Sequence, residues 1–301
     1  MGEVPTDYGI LVGVDGSAES DAAIRWATRE ATMRGVPITL MHVVPPIPEW
    51  PTPSRQSEIA EVWEQNARDV IEQARKTVVA NAGESDPPDL RAEVVSSTVV
   101  PILIDASQHA RMIVMGSRGM GALGRFLLGS VSSGLVHHAH CPVAIIHADE
   151  GSADDKAPVL VGVDGSPASE GAIELAFEEA SRRGVDLVAL HAWSDVGVFP
   201  ILGMDWREYE AQGAEVLAER LAGWHEQYPD VQVQRRLVCD KPAHWLLEES
   251  EHAQLVVVGS HGRGGFPGML LGSVSSALAQ SAKAPLIIHR ARRQAAVRPR
   301  C

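Results

Sequence analysis

The chain has 301 residues, 45% of them hydrophobic and 22% charged, enough for ordinary buried cores and, at roughly 150 residues per domain, for two domains. A formal charge of −13 argues against a non-specific grip on nucleic acid or an anionic membrane, so an anionic ligand must be held by local backbone dipoles and a few basic side chains. Three cysteines at unpaired spacings, Cys141, Cys239 and Cys301, fit a reducing cytosol better than a disulfide framework.

The first apolar run, Ile10 to Val14, is too short for a secretory signal and leads directly into Asp15. No stretch approaches the roughly 20 apolar residues that span a bilayer. Met1, Gly2 and Thr6 match the loose myristoylation pattern without a second anchoring signal beside them. The expectation is a soluble, cytoplasmic protein that does not act on membranes or nucleic acid.

Ile10 to Val14 reads as a strand buried on both faces. A helix follows, with Ala22, Ala23, Trp26, Ala27 and Ala31 as its apolar stripe, Arg25, Arg29 and Glu30 outside it, and Gly35 as its stop. Strand two is Ile38 to Val44. A proline-rich connection, Pro45 to Pro53, leads to a long polar helix from about Ser57 to Ala82. A third strand, Ala92 to Ser96, and a helix, Pro101 to His109, come next. The fourth strand, ending Ile113-Val114-Met115, feeds a glycine loop; a short helix from Ser130 to Ala139, with Ser130 as its cap, and a fifth strand, Val143 to His147, close the unit.

The unit then occurs again. Val12-Gly13-Val14-Asp15-Gly16-Ser17 returns unchanged 149 residues later as Val161 to Ser166. Gly116-Ser117 and Leu127 to Ser133 return 143 residues later as Gly259-Ser260 and Leu270 to Ser276. The chain is therefore a duplication, domains 1–150 and 151–301, with about six residues lost inside the second copy and a polar linker near Asp149 to Ala157. In the second half the strands are Val159 to Val163, Leu187 to Trp193, Gln232 to Val238, the run into Gly259, and Leu286 to His289. Trp206 to Gln227 reads as one helix. The second-half connection Val196 to Met204 is apolar where the first is proline-rich, so access or partner choice is expected to diverge there. Alternating strands and helices predict an α/β fold, two doubly wound parallel sheets of five strands each.

In such sheets ligands sit at the carboxyl ends of the strands, where strand order reverses. Asp15 and Asp164 end strand one; Gly116-Ser117-Arg118-Gly119 and Gly259-Ser260-His261-Gly262 follow strand four. Each loop is followed, nine residues on, by Gly129-Ser130-Val131-Ser132 or Gly272-Ser273-Val274-Ser275. A glycine-rich turn leading into a helix gathers backbone N–H groups suited to phosphate oxygens. Across the crevice the Asp carboxylate is placed to accept from ribose hydroxyls or to hold a hydrated cation; the alternative is that it only caps the next helix, although Ser17 and Ser166 already fill that role. Arg118, Arg125, His261 and Arg263 are candidates for charge-assisted phosphate contacts. A methyl group at Gly116 is expected to crowd the approaching phosphate.

Other patterns fail. No GxxxxGK[ST] occurs, and the GxGxxG at Gly119 to Gly124, including Gly121, opens no helix directly and is broken in the second copy by Pro267. His137, His138, His140 and Cys141 resemble a ligand row but have Gln280, Ser281, Lys283 and Ala284 as counterparts, so helix-end histidines are the simpler reading. His42 and His191 read as buried structural histidines. The basic tail, from Arg290 to Arg300, reads as a solvated end.

Gly-2x-Gly-9x-Gly-Ser, with a strand-one Asp and a strand-two His-Val, resembles the ATP-binding signature of universal stress proteins, over nearly the whole chain and in both halves. The resemblance implies a sheet order 3-2-1-4-5 and adenine-nucleotide binding with a divalent cation, Mg²⁺. By similarity the adenine would meet the backbone of Val43 and Ala192. Gly13 with Asp15, and Gly162 with Asp164, would take the ribose and metal side. Phosphates would lie on Gly116, Ser117, Arg118, Gly119, Gly129, Ser130, Val131 and Ser132. In the second half they would lie on Gly259, Ser260, Gly262, Arg263, Gly272, Ser273, Val274 and Ser275. Asp195 would hold a ribose hydroxyl; its counterpart, Pro46, cannot, so the sites are expected to differ. The resemblance also implies pairing through the fifth strand, here between the two halves, with further homodimerisation. The function it implies is stress-response regulation through a protein partner that reads the nucleotide state. Slow ATP hydrolysis is the enzymatic alternative, disfavoured by the missing lysine and general base.

Overall fold

The computed structural model describes residues 7–47, 52–82, 87–119, 128–148, 154–193, 206–262 and 271–290. Gly121, Arg125, Asp195, Arg263, Pro267, the 196–204 connection and the tail beyond Arg290 lie outside the described residues.

Strand β1 (Ile10–Gly13) is buried throughout and takes β2 (Ile38–Val44) and β4 (Met112–Gly116) as parallel neighbours. Helix α1 (Ala18–Arg34) begins where the Ser17 hydroxyl accepts from the Ser20 N–H, and ends where Gly35, at φ 62°, closes on Ala31 and Thr32. Positive φ makes glycine the low-cost residue at that stop. Helix α2 (Pro53–Asn81) starts earlier than expected, because Pro53 has its φ preset for a first helical turn. Strand β3 (Leu90–Ser96), α3 (Val99–Ala106), β4, α4 (Ser130–His138) and β5 (Val143–Ile146) complete the first half.

The second half repeats this as β6 (Val159–Gly162), α5 (Pro167–Arg183), β7 (Leu187–Ala192), α6 (Trp206–Leu221), α7 (Trp224–Gln227), β8 (Val233–Val238), α8 (Pro242–Glu249), β9 (Leu255–Gly259), α9 (Ser273–Ser281) and β10 (Leu286–His289). The helix expected to run unbroken from Trp206 to Gln227 is two helices. Gly223 breaks it at φ 81°, and Trp224 and Tyr228 then stack on Phe177 of α5, with ring centroids 5.7 and 5.8 Å away. The α1 counterpart of Phe177 is Thr28, so only the second half has an aromatic anchor for that turn.

Strand order is β3-β2-β1-β4-β5-β10-β9-β6-β7-β8. Each half thus has the order 3-2-1-4-5, and the two five-stranded sheets join into one of ten strands through their fifth strands, the pairing between halves that the resemblance implies. The join is the antiparallel pair β5–β10, in register Ile145 with Leu286, Ala144 with Ile287 and Val143 with Ile288. The β5 residues and Leu286 to Ile288 are fully buried, so these apolar edges are paired inside the chain instead of being left open to other chains. The remaining edges, β3 and β8, carry Arg91, Glu93, Arg235 and Arg236, which discourages edge-to-edge pairing.

Each face of the sheet has an apolar core drawn from both halves. Ile10, Val12 and Trp26 pack in one cluster with Val161, Phe177 and Ile287; Leu11, Ile113 and Leu135 pack in the other with Val256, Leu278 and Ile288. Helix α1 packs on β4 and β5 and α5 on β9 and β10, so the two helices flank the join. The Ala22-to-Ala31 stripe is buried and Arg25 and Arg29 are exposed as expected, but Glu30 is only 1% exposed. It lies against Arg34 and Arg183, and those two guanidiniums are what let a carboxylate be buried there.

Candidate nucleotide-binding clefts

The carboxyl ends of β1 and β4 part to leave a cleft of about 760 Å³, and β6 and β9 leave a second of about 620 Å³. Both fall within the roughly 300–1,000 Å³ typical of small-molecule sites. They lie where strand order reverses, because chains leaving β1 and β4 turn to opposite faces.

Asp15 joins the two sides of the first cleft. Its Oδ1 accepts from the Ser17 N–H at 3.0 Å and the Ser17 hydroxyl at 2.6 Å, so it steadies the cap residue and does not itself cap α1. Its Oδ2 faces the glycine loop so closely that a Cβ on Gly119 would sit 2.5 Å from it. Asp164 repeats this: Oδ1 accepts from the Ser166 N–H at 2.9 Å, and Oδ2 lies where a Gly262 side chain would be. A side chain at Gly119 or Gly262 would meet the carboxylate that its loop faces.

Gly116 has a different constraint. A Cβ there would stand 2.7 Å from the Glu19 Cβ and 2.8 Å from its carbonyl carbon, and one on Gly259 would stand 2.8 Å from the Ala168 carbonyl oxygen. These glycines let β4 and β9 pass the first turns of α1 and α5. Crowding of a phosphate is therefore not the main consequence of a methyl group at Gly116; collision with α1 is.

Ser130, expected as the cap of α4, is its first helical residue; Gly129 occupies the cap position and no side chain caps the helix. Gly272 and α9 repeat the arrangement. The reason lies in loop closure: the Gly129 N–H donates to the Ser117 carbonyl at 2.8 Å, and Gly272 does the same to Ser260 at 2.8 Å. First-turn N–H groups of a helix have no acceptor within it, so an uncapped start opening into a cleft suits an anion.

Gly13, Asp15, Val43, Gly116, Arg118, Gly119, Gly129, Ser130, Val131 and Ser132 all line the first cleft. Gly162, Asp164, Ala192, Gly259, Gly262, Gly272, Ser273, Val274 and Ser275 line the second. Ser117 and Ser260 do not line them; their N–H groups donate to Ile146 and His289, tying each loop to a strand of the join. Ser132 and Ser275 spend their hydroxyls on the Gly116 and Gly259 carbonyls, at 2.7 and 2.6 Å. Arg118 is held by Glu19 at 3.0 Å, and the Glu19 counterpart is Ala168.

Residues 9–147 and, separately, 157–290 match the universal stress protein family. The chain belongs to that family. It is 58% identical over 294 residues to a universal stress protein of Mycolicibacterium smegmatis, covering 97% of this chain and all of the relative. A universal stress protein of Mycobacterium tuberculosis is 50% identical over 294 residues, covering 96% and 99%. A universal stress protein structure from Archaeoglobus fulgidus superposes with a TM-score of 0.65 at 22% identity, over 94% of this chain and 98% of that one, which bears on the fold alone.

This universal stress protein also lines its clefts with residues the motifs do not mark. His42 and His191 are buried, and their Nδ1–H groups donate to Val14 at 2.8 Å and Val163 at 2.6 Å; His42 reaches the first cleft as well. Val99 and Leu103 of α3 form a wall of the first cleft, where Pro242, His244 and Leu246 of α8, with Lys241 before them, wall the second. Topology alone could have found them, because helices after strands three and four start at the same edge. Among the described residues no group of three or more His, Cys, Asp or Glu side chains is placed to hold a metal, and none of their helices is long and apolar enough to cross a membrane. A cation at Asp15 or Asp164 would then take most of its ligands from phosphates and water, a set that suits Mg²⁺.

Proposed function

We propose that this stress-response protein binds ATP with Mg²⁺, one molecule in each half, and that the bound state is read by a protein partner. The observation that carries the reading occurs twice: an Asp carboxylate set closely against a glycine of the loop, beside a helix that no side chain caps. The helix start and loop amides suit the polyphosphate, and Asp15 or Asp164 suits a ribose hydroxyl or the cation beside it. Val43 and Ala192, at the ends of β2 and β7, line the clefts where the base would sit. Bound Mg²⁺ would neutralise phosphate charge; the protein's own part is to bind and orient. The reading is a binder, with turnover well below the rate of about one per second that marks ordinary enzymes.

Titration calorimetry of the full chain with ATP and Mg²⁺ tests this. Saturable binding that Asp15→Ala and Asp164→Ala each weaken supports it. Absence of binding by the wild-type chain overturns it.

A further inference from the structure

Because the chain is a duplication, every lining position of one cleft has a counterpart in the other, and the two sets differ in where they carry positive charge. Among the described residues lining the first cleft the cation is Arg118, on the glycine-loop side and tied to Glu19. In the second that position is His261 and the Glu19 position is Ala168; among the described residues that line it, the fixed cation is Lys241, on the opposite wall at the start of α8. The first-half counterpart of Lys241 is the neutral Thr98. Among the described residues Lys241 has no carboxylate within ion-pair distance.

Its backbone sets Lys241 apart as well. It is the one non-glycine residue with positive φ among the described residues, at φ 51° and ψ 57°, whereas Thr98 is extended at φ −77° and ψ 125°. The left-handed region is costly for a lysine, and a following proline, here Pro242, restricts that residue further. Glycine would relieve the strain, yet a lysine stands there. Helix α8 packs on α9, so the first turns of both helices and Lys241 border the same cleft.

We infer that Lys241 is a specificity-determining residue that makes the second cleft select the more highly charged nucleotide, a triphosphate over a monophosphate. The first cleft, whose cation is already shared with Glu19, discriminates less. This rests on the nucleotide reading of the clefts and adds to it a division of labour between them.

The test is calorimetry of the full chain with ATP and with AMP, at low and at physiological salt, for wild type, Lys241→Thr, Lys241→Gly, Lys241→Arg and Thr98→Lys. In Lys241→Thr one of the two ATP-binding phases weakens about three- to tenfold and loses part of its salt dependence, while AMP changes less than about twofold. Thr98→Lys tightens the other ATP phase. Lys241→Gly weakens ATP in the same way yet keeps a melting temperature at or above wild type, because strain is relieved, and Lys241→Arg restores the affinity. Two intact ATP phases in Lys241→Thr, equal losses for ATP and AMP, or a Lys241→Gly protein that loses melting temperature along with affinity would each overturn the inference and leave the nucleotide reading standing. A wild-type chain that binds no ATP would remove both.

Discussion

Glu30 of α1 and Arg183 of α5, 153 residues apart in the chain, meet at 2.6 Å beside the join between the halves. Glu179 and Arg34, their counterparts in the repeat, also pair, so that each arginine touches both carboxylates. The cluster is a self-complementary contact of the kind two-fold homodimers make, here closed within one chain. Taking one arginine away would leave buried carboxylates under-compensated. Arg183→Ala is expected to cost about 3–5 kcal/mol in urea unfolding; a loss under 1 kcal/mol would mean that the cluster does not hold the halves together.

The same cluster gives the stability a pH dependence. Burial and the neighbouring Glu30 charge push the Glu179 carboxyl up to about 7, despite Arg183 and Arg34 beside it. Burial acts on Glu30 too, but there Arg183 and Arg34 prevail and hold the carboxyl below its ordinary range. Glu179 binds its proton more tightly folded than unfolded, so its contribution is fully present below the unfolded value of 4.5 and is lost as pH rises to about 7. Glu30 acts in the opposite sense and in another window, losing its contribution as pH falls below 4.5. Glu179→Gln should therefore gain on wild type by about 1–3 kcal/mol between pH 5 and pH 8. Parallel stability curves for the two proteins would contradict this.

The two loop glycines should fail differently. A methyl on Gly116 meets the backbone of α1, so Gly116→Ala is expected to destabilise the fold by about 1–3 kcal/mol in thermal unfolding. A methyl on Gly119 meets only the Asp15 carboxylate, which can swing away. Gly119→Ala should then unfold within about 0.5 kcal/mol of wild type and lose nucleotide affinity at least tenfold, since Asp15 is displaced into the cleft. The reverse pattern would mean that Asp15 does not face the ligand.

The join itself can be locked. Val143 and Ile288 are directly opposite in the antiparallel pair, where Cα atoms stand about 4.5–5.5 Å apart, within disulfide range. Val143→Cys with Ile288→Cys, in a background without Cys141, Cys239 and Cys301, should oxidise to a cross-linked monomer. Cross-linked dimers would place the join between chains.

Much of the architecture is legible in the residues. The apolar runs at Ile10, Met112 and Val159 can only be doubly covered strands, and the duplicated Asp-Gly-Ser and glycine turns fall at their carboxyl ends. What local patterns cannot carry is whatever depends on a distant partner. Glu30 sits at the border of the α1 stripe, and its burial becomes legible only once Arg183 is beside it. Ser130 has the chemistry of a cap, but the Gly129–Ser117 bond takes the chain past that position. The union of two sheets depends on β5 finding β10; the runs around Ile145 and Ile287 by themselves state an apolar edge but not a partner, and it is the family resemblance that implies the pairing. Nothing around Lys241 in the sequence separates it from a surface lysine: its place on a cleft wall comes with the fold, and its left-handed backbone is not shared by its counterpart, Thr98.

Most decisive is the nucleotide content of the intact chain, measured by native mass spectrometry after gentle purification and again with ATP and Mg²⁺ supplied. Two adenine nucleotides per chain is the expected result, one for each carboxylate-and-glycine cleft. A chain that stays empty under both conditions contradicts it.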